Sequence, residues 1–534
     1  MATTIELDIK TAAAMKAGEA TRKPARGLTE RAYLNIFSSL LDHAVKGAVM
    51  MLITPLLVAG LGGSLFGVWQ MLSRLVTYMQ AADGRPTQAL KWVIANQQSI
   101  DDPAAKRRHV GSALGVWMLF LPILLALSVV LVWAAPFLTK VPAELFMTVR
   151  VSCALLVANF LLTNLVALPE AVLRGMNLGY KRMGLQAGLS IVGGILSVGA
   201  LYVGAGLIGV ASAQVMLAAL TGVLFLLVVK KYVPWFGVAR PSLAEVRSFF
   251  KLSVWWFGWT LINKFLMASD IIILGVVASS AAVTTYTLTG FAGVTLMSLA
   301  TTMLGAVTPG LGGVIGLKQF EKAAALRAEM LTVNWLLLTA LGSTILLWNR
   351  SFVLLWVGAE HYAGFWANLL IVVMIVQFMF IRNDAFVIDL TLELREKVIV
   401  GAIAAVLSVA LSIVLIPSLG IAGLCLGMIG GRLVLSVSYP LILKRKLGAA
   451  GQARLRELVR PGLTMGFMFA AACYLSQTLL VESWLRGLLC ASVSFGFALG
   501  FALIAGLDGN KRRSLLRRLT MLRTLRAAAR SNGS

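Results

Sequence analysis

Apolar stretches long enough to cross a membrane recur along almost the whole of this 534-residue chain. A helix needs about 20 apolar residues to span a ~30 Å hydrocarbon core, because each residue advances it by ~1.5 Å. The stretches that meet this requirement, numbered here as segments 1 to 14, lie at residues 34–61, 64–86, 110–136, 146–169, 184–205, 207–230, 251–277, 281–309, 328–349, 363–387, 397–417, 421–443, 462–481 and 484–506. The sequence therefore predicts an all-α polytopic membrane protein with about 14 transmembrane helices.

Basic residues are distributed unevenly between the two ends of these segments. Of the 47 Lys and Arg residues, 38 lie in or beside the two tails and the loops after even-numbered segments, and three lie in the other loops. The positive-inside rule therefore predicts that both termini are cytoplasmic. The formal net charge of +25 then reflects topology and attraction to membrane lipids, and we expect no nucleic-acid partner. The polar first 33 residues contain no recognisable cleavable signal, so segment 1 is expected to direct insertion itself.

The sequence lacks the motifs on which soluble catalytic domains depend. The predicted loops are short, and no zinc-protease, phosphate-loop or nucleophile-elbow motif occurs in them. The four cysteines lie within apolar segments and have no metal-ligand spacing. We therefore predict that the protein is not an enzyme and has no cofactor and no metal site.

Segments 5–6 and 11–12 read alike at an offset of 214 residues. The sequence GLIG at 206–209 corresponds to GIAG at 420–423, and the basic pair at 230–231 corresponds to the one at 444–445. A six-segment repeat keeps its orientation in the membrane, so the two copies would be related by a pseudo-twofold axis along the membrane normal. The predicted divisions are an N-terminal tail (1–33), an N-lobe (34–230), a linker (231–250), a C-lobe (251–445), a second linker (446–461), a C-terminal helix pair (462–506) and a basic tail (507–534) patterned as an interfacial helix.

This arrangement resembles the polysaccharide-biosynthesis flippases of the multidrug/oligosaccharidyl-lipid/polysaccharide (MOP) exporter superfamily. Three local sequences carry the likeness, and they are LGGSLFGVWQMLSRLVTYMQAADGR at 61–85, SDIIILGVVASSAAVTTYTLTGF at 269–291 and IPSLGIAGLCLGMIGGR at 416–432. The first of them reads AADGR where the family often has Asp-Leu-Gly. The resemblance implies two six-helix lobes around a central cavity, lined by the first two helices of each lobe.

Four cations are predicted close to the middle of the membrane, and they are Lys46, Arg74, Lys264 and Arg432. An ionisable group in a membrane helix is costly and generally faces protein or water. We interpret the four as the wall of a cationic cavity for an anionic substrate, and the resemblance implies a sugar carried on a polyprenyl diphosphate. Arg and Lys provide both the charge and the hydrogen-bond donors that a diphosphate needs away from water.

Internal ion pairs are the alternative interpretation of these charges. Asp42 precedes Lys46 by one turn, and Asp270 lies near Lys264. Both acids are also candidates for coupling transport to an ion. A third set of charges, Arg382, Asp384 and Asp389, is expected to pair within itself at the inner end of segment 10.

Aromatic residues begin segment 7, among them Trp256 and Trp259. They are typical of an aromatic belt at the membrane interface. A stacking surface for sugar rings at the cytoplasmic mouth is the other interpretation.

The leading functional hypothesis is a flippase in the bacterial inner membrane. It would move a lipid-linked oligosaccharide from the inner to the outer leaflet for polysaccharide synthesis, together with other polysaccharide-assembly proteins. The alternatives are a flippase for the peptidoglycan precursor lipid II and an ion-coupled multidrug exporter. A membrane glycosyltransferase or polymerase is disfavoured, because such enzymes need a larger outer loop than this sequence offers.

Overall fold

The described part of this computed structural model is helical and contains no strand. It comprises residues 26–79, 86–96, 102–176, 178, 183–247, 249–250, 269–391, 395–448, 455–509 and 512–513. Within it, nine helices are long and apolar enough to cross a membrane. The prediction of an all-α polytopic membrane protein is confirmed.

Thirteen helices are used below. They are α1 (Arg26–Met79), α2 (Pro86–Asn96), α3 (Pro103–Thr139), α4 (Phe146–Gly175), α5 (Met183–Tyr202), α6 (Gly206–Tyr232), α7 (269–277), α8 (Ser280–Gly316), α9 (Phe320–Val357), α10 (Phe365–Leu390), α11 (Arg395–Leu447), α12 (Leu455–Thr478) and α13 (Trp484–Phe501). Helix α1 contains segments 1 and 2 on the two sides of a turn at Gly62, and α11 contains segments 11 and 12 around Gly420. Of segment 7, the structure describes only α7.

The repeated glycine motif has the same geometry in both copies. Gly206 and Gly420 both have positive φ angles, of 52° and 56°, a region that an L-residue with a side chain rarely adopts. Three residues later, a Cβ atom on Gly209 would clash with Ala205 in the turn and press on Ala200 of α5, and one on Gly423 would clash with the backbone of Leu415 before the turn. The glycines therefore allow a tight turn followed at once by close helix packing, which explains why the motif reads G-x-x-G in both copies.

The lobe cores lie between helices of the same half of the chain. In the N-lobe, α1 packs on α5, and α4 packs on α6. In the C-lobe, α10 packs on α11 and on α8. The loop predicted after segment 2 contains a short helix that the apolar pattern did not reveal. This helix, α2, is held in place because Leu90 and Ile94 are fully buried in the N-lobe core.

The C-terminal helix pair is attached to the C-lobe through α9. Phe469 of α12 packs against Gly342, where a side chain on α9 would clash. The indole nitrogen of Trp348 donates a hydrogen bond to Ser494 Oγ of α13, at 2.9 Å. The Ser351 hydroxyl accepts the backbone N–H of Val481 between the two helices, at 3.1 Å. Both α12 and α13 thus rest on one helix of the C-lobe.

Candidate functional site: a cleft between the two lobes

The two lobes meet along a seam formed by crossed pairs of helices. The first half of α1 packs against α8, and the second half packs against α7. Helices α7 and α8 belong to segments 7 and 8, the first two segments of the second copy. The predicted twofold axis therefore relates the pairing of segment 1 with segment 8 to that of segment 2 with segment 7. We refer to the end of the molecule that carries the Gly62 turn as the outer end, following the orientation that the charges predict.

The seam is closed by polar contacts at its outer end. The hydroxyl oxygens of Ser64 and Ser280 are 3.1 Å apart across it. The hydroxyl of Thr284 in α8 donates to the carbonyl of Gly63 in α1. Gly67 approaches the backbone of Ser280 so closely that any side chain there would clash. The outer ends of the lobes are therefore in direct backbone contact.

A proline in α1 supplies a further contact across the seam. Pro55 has no N–H, so the carbonyl of Met51, four residues earlier, lacks its usual helical partner. The indole N–H of Trp356 in α9 donates to that carbonyl at 2.6 Å. The hydrogen bond lost within one lobe is thus replaced by one between the lobes.

One face of α1 changes from buried to exposed toward the inner end. Lys46, Met50, Thr54, Leu57 and Leu61 follow one another at spacings of three and four residues, so they share that face. Leu61 and Thr54 are each 7% exposed, whereas Met50 is 56% exposed and Lys46 is also exposed. The same helix face is therefore buried near the outer end and exposed near the inner end.

Arg74 lies on the seam between two residues that contact the other lobe. Met71, Arg74 and Tyr78 share one face of α1 by their spacing. Met71 packs against Gly275 of α7, and the side chains of Tyr78 and Ser269 share a hydrogen bond. Arg74 is half-buried. No described residue forms an ion pair or hydrogen bond with it, and the same is true of Lys46.

Arg432 is located in the C-lobe interior and not on the open face of the cleft. It is 6% exposed, and its guanidinium lies 5.7 Å from the centre of the Phe378 ring. Asp270 of α7 lies within its electrostatic reach. The hydroxyl of Tyr286 donates to Asp270 Oδ2 at 2.8 Å, and Asp270 Oδ1 is buried with no hydrogen-bond partner among the described residues. Asp270 and Arg432 thus belong to one buried polar cluster beside the seam.

The remaining candidate residues lie outside the described residues. These are Lys264, Trp256, Trp259 and the side chain of Asp42. The expected pairings of Lys46 with Asp42 and of Lys264 with Asp270 stay predictions.

The charges of segment 10 do not pair as expected. Asp384 pairs with Arg327 of α9, through Nε and Nη2 at 2.8 Å each. Asp389 accepts from Lys397 of α11, which is 1% exposed. Arg382 lies over the ring of Phe386, at 4.7 Å from its centre. Asp384 is buried and therefore needs a close partner, which Arg327 on the neighbouring helix provides. Asp389 also lies within electrostatic reach of Arg382.

Replacing Arg327 by Ala is expected to destabilise the folded protein by about 3–5 kcal/mol, because it leaves the Asp384 carboxylate buried without its partner. We expect low yields in the membrane and a lower unfolding temperature in detergent. The double variant Arg327→Met/Asp384→Leu removes both charges and should regain most of this loss. Equal stability of Arg327→Ala and the wild type would contradict a structural role for the pair.

Several residues of this region were not identified from the sequence. Tyr78 and Tyr286 are single tyrosines in apolar helices, and Trp356 resembles an ordinary core tryptophan. Of these contacts, only the one made by Trp356 had a signal in the sequence, because Pro55 leaves the Met51 carbonyl without its usual helical partner. Within the described part of the chain, no group of three or more metal-ligating side chains comes together.

No protein-family model matches the sequence, and no curated protein matches it. Solved structures of transporters match the fold. The lipid II flippase MurJ, in an inward closed conformation, superposes with a TM-score of 0.61 at 13% identity, over 87% of this chain and 98% of that one. A multidrug resistance MATE family transporter of the MOP superfamily, in an inward-facing conformation, gives 0.57 at 15%, over 77% and 94%. A MOP superfamily transporter from Pyrococcus furiosus gives 0.52 at 15%, over 78% and 96%.

The chain is thus a multi-pass membrane protein with the fold of MOP-superfamily transporters. The fold that the sequence resemblance implied is confirmed, whereas the superfamily and the polysaccharide subtype are matters for proposal. The matching structures include a lipid II flippase and a multidrug transporter. Since one fold serves different substrates, the substrate class must be argued from the site itself.

Proposed function

We propose that this protein is a flippase that moves a polyprenyl-diphosphate-linked oligosaccharide from the inner to the outer leaflet of a bacterial inner membrane, for polysaccharide biosynthesis. The observation that carries the proposal is the difference between the cations. Arg327 and Lys397 are buried and each has a carboxylate partner, while Arg74 and Lys46 have no ion-pair partner among the described residues. Arg74 lies on the seam, and Lys46 is exposed toward the inner end of α1.

The proposed mechanism gives these two cations distinct roles. Lys46, on the open part of the cleft, would meet the diphosphate first as a mobile point charge. Arg74, deeper along the seam, would then hold it through the parallel N–H donors of its guanidinium. A bare diphosphate in hydrocarbon would cost tens of kcal/mol by Born estimates, so its passage requires such a lining.

Release to the outer leaflet requires the outer contacts to separate. Ser64, Thr284 and Trp356 would lose their partners in the other lobe, while the lobes close at their inner ends. The seam supports this alternation because its outer contacts are a few hydrogen bonds and backbone approaches. Each hydrogen bond contributes only about 0.5–1.5 kcal/mol, so rocking of the lobes can break them.

Two other substrates fit the same fold. A lipid II flippase would need the same cationic cleft, and a multidrug exporter would more often carry cationic compounds, which these cations repel. Proteoliposomes supplied separately with a lipid-linked oligosaccharide, lipid II and a cationic dye would separate the three. The proposal expects export of the oligosaccharide, and it fails if only lipid II or the dye is moved.

A part of the proposal concerns the energy source. An anion leaving a negatively charged interior is driven outward by ~2.3 kcal/mol per charge per 100 mV. Return of the empty carrier would be coupled to a cation through Asp270, which lies beside the seam next to Tyr286 and Arg432. The alternative is a static polar cluster that only supports the C-lobe.

The Asp270→Asn variant is expected to transport with a changed dependence on an imposed pH or potential gradient, because it can no longer gain or lose charge. The measurement is oligosaccharide export from proteoliposomes under each gradient. Asp270→Asn/Arg432→Gln is the informative control. If the cluster is only structural, this double variant should regain the stability lost in Asp270→Asn, and both variants should keep the wild-type gradient dependence.

A further inference from the structure

The segment after α6 has a fixed structure at the inner end of the N-lobe. Residues 236–247 run beside the first turns of α3, and we refer to them as the inner strap. Arg107 of α3 donates through Nε to the Trp235 carbonyl at 2.7 Å, and its own carbonyl accepts the N–H of Ala239 at 3.2 Å. Arg108 forms an ion pair with Glu245 at 3.1 Å.

Two further contacts fix the middle of the strap. Gly111 of α3 lies so close to the Ala239 carbonyl that a side chain on it would clash. The N–H and hydroxyl of Ser242 both donate to Glu245. The Ser242 N–H holds the pKa of the Glu245 carboxyl below its usual range, so this acid stays ionised near neutral pH.

These contacts set the depth of the strap relative to the membrane. The strap touches α3 between Arg107 and Gly111, where the charged start of that helix gives way to its apolar run. Further along, Phe250 stacks on Phe120, within the apolar part of α3. The strap therefore lies at the level where hydrocarbon meets the headgroups.

The exposed side of the strap combines apolar and basic residues. Leu243 is 88% exposed and Val238 is 61% exposed. Arg240 and Arg247 are exposed on the same segment, and the side chain of Arg107 is exposed beside it. Exposed apolar residues with arginines beside them suit a surface that is apolar below and anionic above.

We propose that the inner strap is a binding surface for anionic phospholipid, with Val238 and Leu243 inserted among the acyl chains and the arginines bound to headgroup phosphates. The charge, the apolar tips and the depth all match the inner leaflet of a membrane that contains anionic lipid. The strap would anchor the N-lobe to the membrane surface. This inference is independent of the transported substrate.

A labelled cysteine tests the inserted position. Leu243→Cys, in a background lacking the native cysteines, is labelled with an environment-sensitive dye and reconstituted in phosphatidylcholine vesicles with and without phosphatidylglycerol. We expect blue-shifted emission that shifts further when phosphatidylglycerol is present. Ala104→Cys, exposed on the first turn of α3, provides the water-exposed reference. If the two sites emit alike in both vesicles, the proposal is wrong.

A charge-neutralised variant tests the headgroup contacts. Arg240→Gln/Arg247→Gln should reduce the preference for phosphatidylglycerol over phosphatidylcholine in native mass spectrometry by about tenfold or more, since each basic residue near an anionic surface contributes ~1 kcal/mol. Lys444→Gln/Arg445→Gln removes the same charge from the inner end of α11 and should leave the label at position 243 unaffected. An equal loss of the preference for phosphatidylglycerol in both variants would show that net charge alone is responsible and would overturn the proposal.

Discussion

Oxidising a Ser64→Cys/Ser280→Cys variant should stop transport completely, and reduction should restore it. The two hydroxyl oxygens are 3.1 Å apart across the lobe seam, so cysteine sulfurs at these positions can reach the ~2.0 Å of a disulfide with little movement. The bond would hold the outer ends of the lobes together. A carrier that works by rocking two lobes cannot open outward while it is locked in this way.

The measurement is export of lipid-linked oligosaccharide in proteoliposomes before and after oxidation, in a background without the four native cysteines. Loss of free thiols reports that the disulfide has formed. Val166→Cys/Gly222→Cys is the matched control, because it joins α4 and α6 within the N-lobe, where a Cβ atom at position 222 would lie 3.8 Å from the Cβ atom of Val166. Undiminished export by the fully cross-linked seam variant would rule out opening at this seam.

Replacing Arg74 by Ala should reduce transport by about 30-fold to several thousandfold, while the amount of folded protein in the membrane stays unchanged. Truncating one partner of a buried, hydrogen-bonded charge pair costs 2–5 kcal/mol, and each 1.4 kcal/mol is a factor of ten. Stability should hold because no described residue depends on Arg74 for an ion pair or a hydrogen bond. Arg74→Lys should retain part of the activity, since the charge remains and the planar fork is lost.

Arg150→Ala is the matched control for charge. Arg150 is also half-buried in a membrane helix, but it lies near the outer end of α4, over the ring of Phe146. Transport by this variant should remain close to the wild type. If Arg74→Ala exports normally, the cationic cleft is not the substrate path. If the Arg74→Ala protein instead fails to accumulate in the membrane, Arg74 has a structural role.

Helix number and the repeat were predictable from local sequence. A membrane helix satisfies its own backbone hydrogen bonds, so a run of about 20 apolar residues is sufficient evidence for one. The turns at Gly206 and Gly420 were also predictable, because only glycine adopts their backbone conformation readily. The short helix α2 was missed because it is stabilised by burial of Leu90 and Ile94 against other helices.

The partners of the deep charges were not predictable from sequence alone. The expectation that Arg382, Asp384 and Asp389 satisfy one another relied on their closeness along the chain, but two of them pair with Arg327 and Lys397 on other helices. Arg432 was grouped with the cavity cations by its depth. Depth does not specify which side of a helix faces the cleft, and Arg432 lies in the C-lobe interior beside Asp270.

The sequence by itself determined that this chain crosses a membrane many times as helices, in two repeated halves. These properties follow from hydropathy, charge and glycine positions, which act within a single segment. The tertiary structure alone decided which of the deep charges pair with one another, where the lobes touch and which part of α1 is buried. Those outcomes depend on the rotation and crossing of helices far apart in sequence, because a buried charge pairs with the nearest acid in space and not along the chain.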